Sequence, residues 1–149
     1  MAFAVTFVET WPPELREAVI TVFAALQAQS GADLPTGTVN LKLVDDAEIA
    51  ALNEQYTGNA YATDVLTFNY REDGVESGEL ADIAISIVTA SRQAVESKVS
   101  VAEEVALLVL HGLLHVLGYD HQTETDRDRL DRLQCRILIS AGFSDREFK

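Results

Sequence analysis

Cysteine is nearly absent from this 149-residue chain: Cys135 stands alone, so no intramolecular disulfide can form. That usage fits a reducing compartment, and the cytoplasm is the expected location. Cys135 falls in a segment with helical periodicity, where a single thiol reads as core or near-core and a catalytic role is a poor fit. Positive charge is scarce as well. Eleven Lys and Arg face 24 Asp and Glu, for a net charge of −13. Nucleic-acid binding usually leaves a basic footprint, and here the acid is concentrated in residues 1–100. Arg129, Arg132 and Arg136 share one helical face, but Asp126, Asp128 and Asp131 interleave with them, so a solvated, salt-bridged surface is expected. No apolar run is long enough to span a bilayer, since histidines interrupt the one that precedes His111. The opening MAFAVTFVETW has no positive segment and alternates like a strand, so neither a signal peptide nor a membrane partner is expected. Repeats, low-complexity tracts and interdomain linkers are all missing, and residues 1–149 read as one domain.

What the chain does have is concentrated in Val105–His121, VALLVLHGLLHVLGYDH, which holds all three of its histidines. His111 and His115 are four apart, which on a helix stacks both rings on one face. Gly118 offers the left-handed position at which helices stop. The chain can reverse there through Tyr119 and Asp120 and return His121 over the same face. Two imidazoles from a helix and one from the turn beyond it make a three-histidine metal site with a position left for water. Burying several imidazoles among leucines costs desolvation that a metal offsets. A divalent ion there would bring the pKa of a bound water to about 7. Zinc is the expected ion, with nickel an alternative that histidine nitrogen also suits. Asp120 either orients a ligand histidine through a hydrogen bond or caps the turn.

HGLLHVLGYDH closely resembles the signature of the YbeY family, H-G-x-L-H-x-x-G-Y-D-H. Leu52–Phe68, LNEQYTGNAYATDVLTF, resembles the family's L-N-x-x-Y-R-x-x-x-x-x-T-D-V-L-S-F, and ELADIAIS at Glu79–Ser86 resembles its G-D-I-x-I strand. The resemblance implies a metal-dependent, single-strand-specific endoribonuclease acting in rRNA maturation, including small-subunit rRNA 3′-end processing, and in ribosome quality control. It implies His111, His115 and His121 as ligands and catalytic centre, with Asn53, Tyr56, Thr57, Thr63 and Asp64 lining or supporting the cleft. Its partners would be single-stranded RNA or rRNA and ribosomal or ribosome-associated proteins. The departures matter as much. Thr57 stands where the family has an arginine implicated in RNA cleavage, Ala62 replaces a proline, and Ala81 replaces a glycine. Losing the arginine removes a cation that could hold phosphate; Arg71 and Arg92 are the nearby candidates to replace it.

Two other functions stay open on the sequence. One is a non-catalytic, ribosome-associated protein that keeps its metal for stability, which Thr57 and the acidity favour. The other is a metal-dependent hydrolase of another substrate. For a peptidase, the H-E-x-x-H motif needs a glutamate after the first histidine; this chain has Gly112, so a base would have to come from Asp64, Asp82 or elsewhere.

Alternation and caps predict an α/β (α+β) fold: a small mixed four-stranded sheet with about five helices. Strands are expected over 2–8, around Val39–Leu43, over 65–70 and over 80–88. Helices are expected after Thr10, after Asp45 or Asp46, after Thr89 or Ser91, after Ser100 and after Thr123. The strand–helix–strand–helix–strand order predicts parallel neighbours with right-handed crossovers, and the third and fourth strands should be antiparallel.

Overall fold

The computed structural model describes residues 3–30, 34–70, 78–119 and 122–144. Strand β1 (Phe3–Phe7) leads through helix α1 (Pro13–Ser30) to β2 (Gly37–Val44). Then come α2 (Asp46–Thr57), β3 (Val65–Asn69), β4 (Glu79–Ser86), α3 (Ile87–Ser97), α4 (Val101–Val116) and α5 (Glu124–Ser140). Among the described residues, four strands and five helices match the expected class.

Helix starts follow local chemistry. The side chains of Asp45, Ser100 and Thr123 accept from the backbone N–H groups of Glu48, Glu103 and Asp126 at 2.8, 3.1 and 3.1 Å. Each satisfies one of the donors that a helix N-terminus leaves without a partner.

The fourth strand differs from expectation. It ends at Ser86, two residues before Val88, and α3 starts at Ile87 rather than after Thr89 or Ser91. The Ser86 hydroxyl accepts from the Thr89 N–H at 3.1 Å and so acts as the cap. That capping outweighs the strand preference of the Ile87-Val88-Thr89 run. Ser86 and Thr89 in turn donate to Oδ1 of Asp46, tying the start of α2 to the β4–α3 junction. These bonds hold the Asp46 carboxyl below the usual carboxylate range. A lowered pKa means that the stabilisation is present at neutral pH and is lost as pH falls through that pKa. The thermal-stability gap between wild type and Asp46→Ala is therefore expected to be largest near neutral pH. It should narrow as melts are run at successively lower pH below the ordinary carboxylate range.

The sheet order is β1-β2-β4-β3. β1 and β2 pair in parallel, as the crossover through α1 requires. The second expected parallel neighbour does not form: β4 lies beside β2 in parallel, and β3 folds back antiparallel on β4 at the edge. Burial explains the order. β4 is buried at almost every position and belongs in the sheet interior. β3 is half-buried throughout and tolerates an edge.

Helix α4 is the core element. Val105 through Leu110 have at most 2% of their surface exposed, and the helix packs on α1, α3, α5, β3 and β4. Among the described residues no single helix is long and apolar enough to cross a membrane. The other sheet face receives α2 through a small cluster of Val44, Ile49 and Ala84, flanked by Leu52 and Leu66.

Candidate metal centre and its surroundings

His111 and His115 both lie on α4 and both are half-buried, one turn apart. Gly112 between them explains how this face comes so near the sheet. A Cβ added there would sit 2.9 Å from Ile83 Cδ1 and 3.1 Å from Thr67 Oγ1. Thr67 and Ile83 are direct partners across β3 and β4, so the histidine turn is anchored at the β3 edge of the sheet. The helix ends as its sequence suggests. Gly118 takes φ 99°, its N–H donates to the His115 carbonyl, and the Tyr119 N–H donates to the Leu114 carbonyl at 3.1 Å. Asp120, His121 and Arg71 lie outside the described residues. Among the described residues no group of three His, Cys, Asp or Glu side chains could hold a metal ion. The donor set suits a borderline metal all the same: two half-buried imidazoles at helical ligand spacing, with His121 three residues beyond the helix stop.

The residues of the second block fall into separate groups. Asn53, only 4% exposed, donates from Nδ2 to the Tyr61 carbonyl at 3.1 Å. The Thr57 hydroxyl lies 2.8 Å from the Asn53 carbonyl oxygen and 2.9 Å from its Oδ1, and it accepts from the Asn59 N–H at 3.2 Å. Thr57 is the last residue of α2, not the first of a loop, and Gly58 stops the helix at φ 83°. Asn53 and Thr57 thus shape the turn that carries the chain from α2 to β3. Asp64 accepts from the Val65 N–H at 2.8 Å and from the Thr63 hydroxyl at 3.4 Å on Oδ1. Its Oδ2 accepts from Gln93 at 3.3 Å. Both oxygens are occupied in holding the start of β3 against α3, and Gln93 carried no sequence signal.

Strand alternation sorts the rest. Thr67 and Ile83 face α4, so Phe68 and Asp82 face the opposite side of the sheet. Tyr56 stacks on Phe68 with ring centroids 4.0 Å apart, on the face turned away from the histidine helix. Asp82 accepts there from Asn40 Nδ2 at 2.8 Å and from the Tyr70 hydroxyl, and Thr6 donates to Asn40 at 2.6 Å. The bond to Asp82, together with burial, pushes the Tyr70 hydroxyl far above the usual tyrosine range. Asp82 therefore cannot serve as a base at the histidines. The structure also has no room on α4 for the glutamate of a peptidase motif, because a side chain at Gly112 meets Ile83 and Thr67.

The arginine face of α5 departs from its expected salt-bridged state. Among the described residues the one ion pair is Lys42–Glu48, at 3.1 Å. Arg129, Arg132 and Arg136 are exposed and make none.

With that geometry in place, comparison with known proteins gives a consistent result. A family model described as endoribonuclease YbeY matches residues 6–142. The chain is 41% identical over 141 residues to a protein named endoribonuclease YbeY from Moorella thermoacetica, covering 87% of this chain and 90% of that one. It is 42% identical over 137 residues to one of the same name from Desulforamulus reducens, covering 88% and 87%. Among solved structures, a solution structure of a Thermotoga maritima protein matches with a TM-score of 0.60 over 99% of both chains. Its 24% identity supports likeness of fold alone.

Proposed function

The chain belongs to the YbeY family of endoribonucleases, and from that premise we propose that it hydrolyses phosphodiester bonds in single-stranded RNA during rRNA maturation. The reading is supported above all by the two imidazoles that α4 sets one turn apart at the β3 edge. His111, His115 and His121 would hold one divalent ion, zinc or, as the second choice, nickel. When bound, such an ion supplies Lewis acidity and eases deprotonation of water near neutral pH. The protein's own contributions are distinct. Gly112 lets the histidine turn rest directly on the sheet, Leu110 and Leu114 keep the neighbouring interior dry, and Asn53 with Thr57 fixes the turn leading to β3. We place the activity in the cytoplasm, on rRNA, with ribosomal proteins as the partners that bring so acidic a chain to its substrate.

The substitution of threonine for the family arginine tests which part limits turnover. Thr57→Arg is expected to raise cleavage about tenfold to hundredfold, the value of one charge-assisted contact. Metal content should not change. Stability should fall by about 1 kcal/mol, because the hydroxyl bridge to Asn53 is lost. The check is the cleavage rate of wild type and variant on single-stranded RNA at fixed salt, since salt alone shifts RNA affinity. No gain in a folded, metal-loaded variant would show that the missing cation is not limiting. Cosedimentation of a catalytically silent wild type with ribosomes would replace the nuclease reading by that of a ribosome-bound accessory protein.

A further inference from the structure

On the reading that RNA is the substrate, we propose that the α5 face carrying Arg129, Arg132 and Arg136 binds the phosphodiester backbone of that RNA beyond the metal centre. Two adjoining cavities, of about 530 and 340 Å³, lie where α4 ends. Tyr119, Arg129, Leu133 and Arg136 line both, Leu117 and Gly118 line the larger, and Arg132 lines the smaller. No acidic side chain among the described residues lines either one.

Three observations point to a polyanion. The arginines are at i, i+3 and i+7, one per turn of a single face, so their charges form a short ladder. None of them is in an ion pair among the described residues, although the chain as a whole has a large excess of acid. In such a protein a cationic face left without partners is a local exception, and its guanidinium forks match phosphate oxygens two at a time. The third observation is position. Both cavities open where the histidine-bearing helix ends, at Leu117-Gly118-Tyr119, so RNA held there lies off the C-terminal end of α4, and no histidine lines either cavity. Tyr119 is half-buried and offers a ring on which a base can stack without sequence preference. The surface therefore gives affinity and direction to the strand, and it takes no part in bond cleavage.

The test uses the full-length protein and a short single-stranded RNA with a phosphorothioate backbone, so that binding is read apart from turnover. Arg129→Ala, Arg132→Ala and Arg136→Ala should each raise Kd roughly threefold to tenfold, between the value of an exposed ion pair and that of a charge-assisted bond. Each should also lower the slope of log affinity against log salt by about 0.7. Arg127→Ala removes the same charge from another face of α5 and should change neither quantity. On unmodified RNA the three variants should raise KM and leave kcat unchanged. An unaltered Kd in the triple variant, an equal loss in Arg127→Ala, or no RNA binding by wild type would overturn the proposal. Arginine-dependent binding without any cleavage would refute the nuclease reading and leave this surface standing. Cleavage whose KM ignores all three arginines would do the reverse.

Discussion

Gly112→Glu is expected to leave little folded protein. The position sits where α4 meets the β3–β4 pair, and even a methyl group there would lie 2.9 Å from one Ile83 carbon and 3.3 Å from another. Overpacking of that kind costs about 1–3 kcal/mol. The glutamate adds a carboxylate driven between Ile83 and the Thr67 hydroxyl, where burying a charge with at most one hydrogen-bond partner costs several kcal/mol more. Against a total stability of about 5–15 kcal/mol for a domain, the sum removes most of the margin. Gly112→Ala separates the two effects. Its better helix propensity recovers about 1 kcal/mol, so a net loss of roughly 0–2 kcal/mol is expected once the clash is set against it. Urea unfolding of the three proteins measures both steps. An alanine variant about 1 kcal/mol more stable than wild type, the full propensity gain, would mean that α4 does not approach the sheet this closely. The same result carries a functional point: a peptidase-type base cannot be engineered into this helix at that position.

His115→Ala should separate metal binding from fold. His115 is half-buried on the histidine turn, so truncation costs modest stability. Metal retention should fall much further, beyond the tenfold to hundredfold loss typical of removing a partner that merely supports a ligand. Thermal unfolding with and without added zinc reads this directly. Wild type should gain about 2.7 kcal/mol at a free zinc concentration one hundred times Kd, and His115→Ala should gain almost nothing at the same concentration. A variant stabilised as much as wild type would remove His115 from the ligand set.

The parts of this molecule that sequence reveals are the local ones. Asp45, Ser100 and Thr123 cap helices because a short polar side chain reaches its own next turn, and that chemistry is contained in four residues. Gly118 ends α4 by an equally local effect, the left-handed backbone that glycine adopts without strain. Non-local choices were hidden. Ile87-Val88-Thr89 has the composition of a strand, and only the Ser86 hydroxyl, engaged with Asp46 forty residues away, decides for a helix. The β2–α2–β3 order suggests a crossover, yet the greater burial of β4 gives it the inner place beside β2.

The candidate site divides along the same line. The helical spacing of His111 and His115 was legible, because one α-helix fixes both. Tyr56 was expected at the cleft, but its ring stacks on Phe68 across the sheet, a pairing that depends on strand alternation and on which face α2 covers. Asp82 was a possible base until the register of β4 turned it away from α4. The arginine face of α5 was legible as a face. Whether the interleaved aspartates would neutralise it depended on side-chain reach, which a helical wheel does not contain, and among the described residues they do not.

RNA cleavage through the proposed histidine centre can be tested directly. The most direct measurement follows cleavage of single-stranded RNA by one untagged preparation as purified, after chelation, and after reloading with zinc or nickel, with His115→Ala treated in parallel. Cleavage should vanish on chelation, return on reloading in proportion to bound metal at one ion per chain, and stay absent in His115→Ala throughout. Undiminished cleavage by chelated protein, or by a metal-free His115→Ala protein, would contradict it.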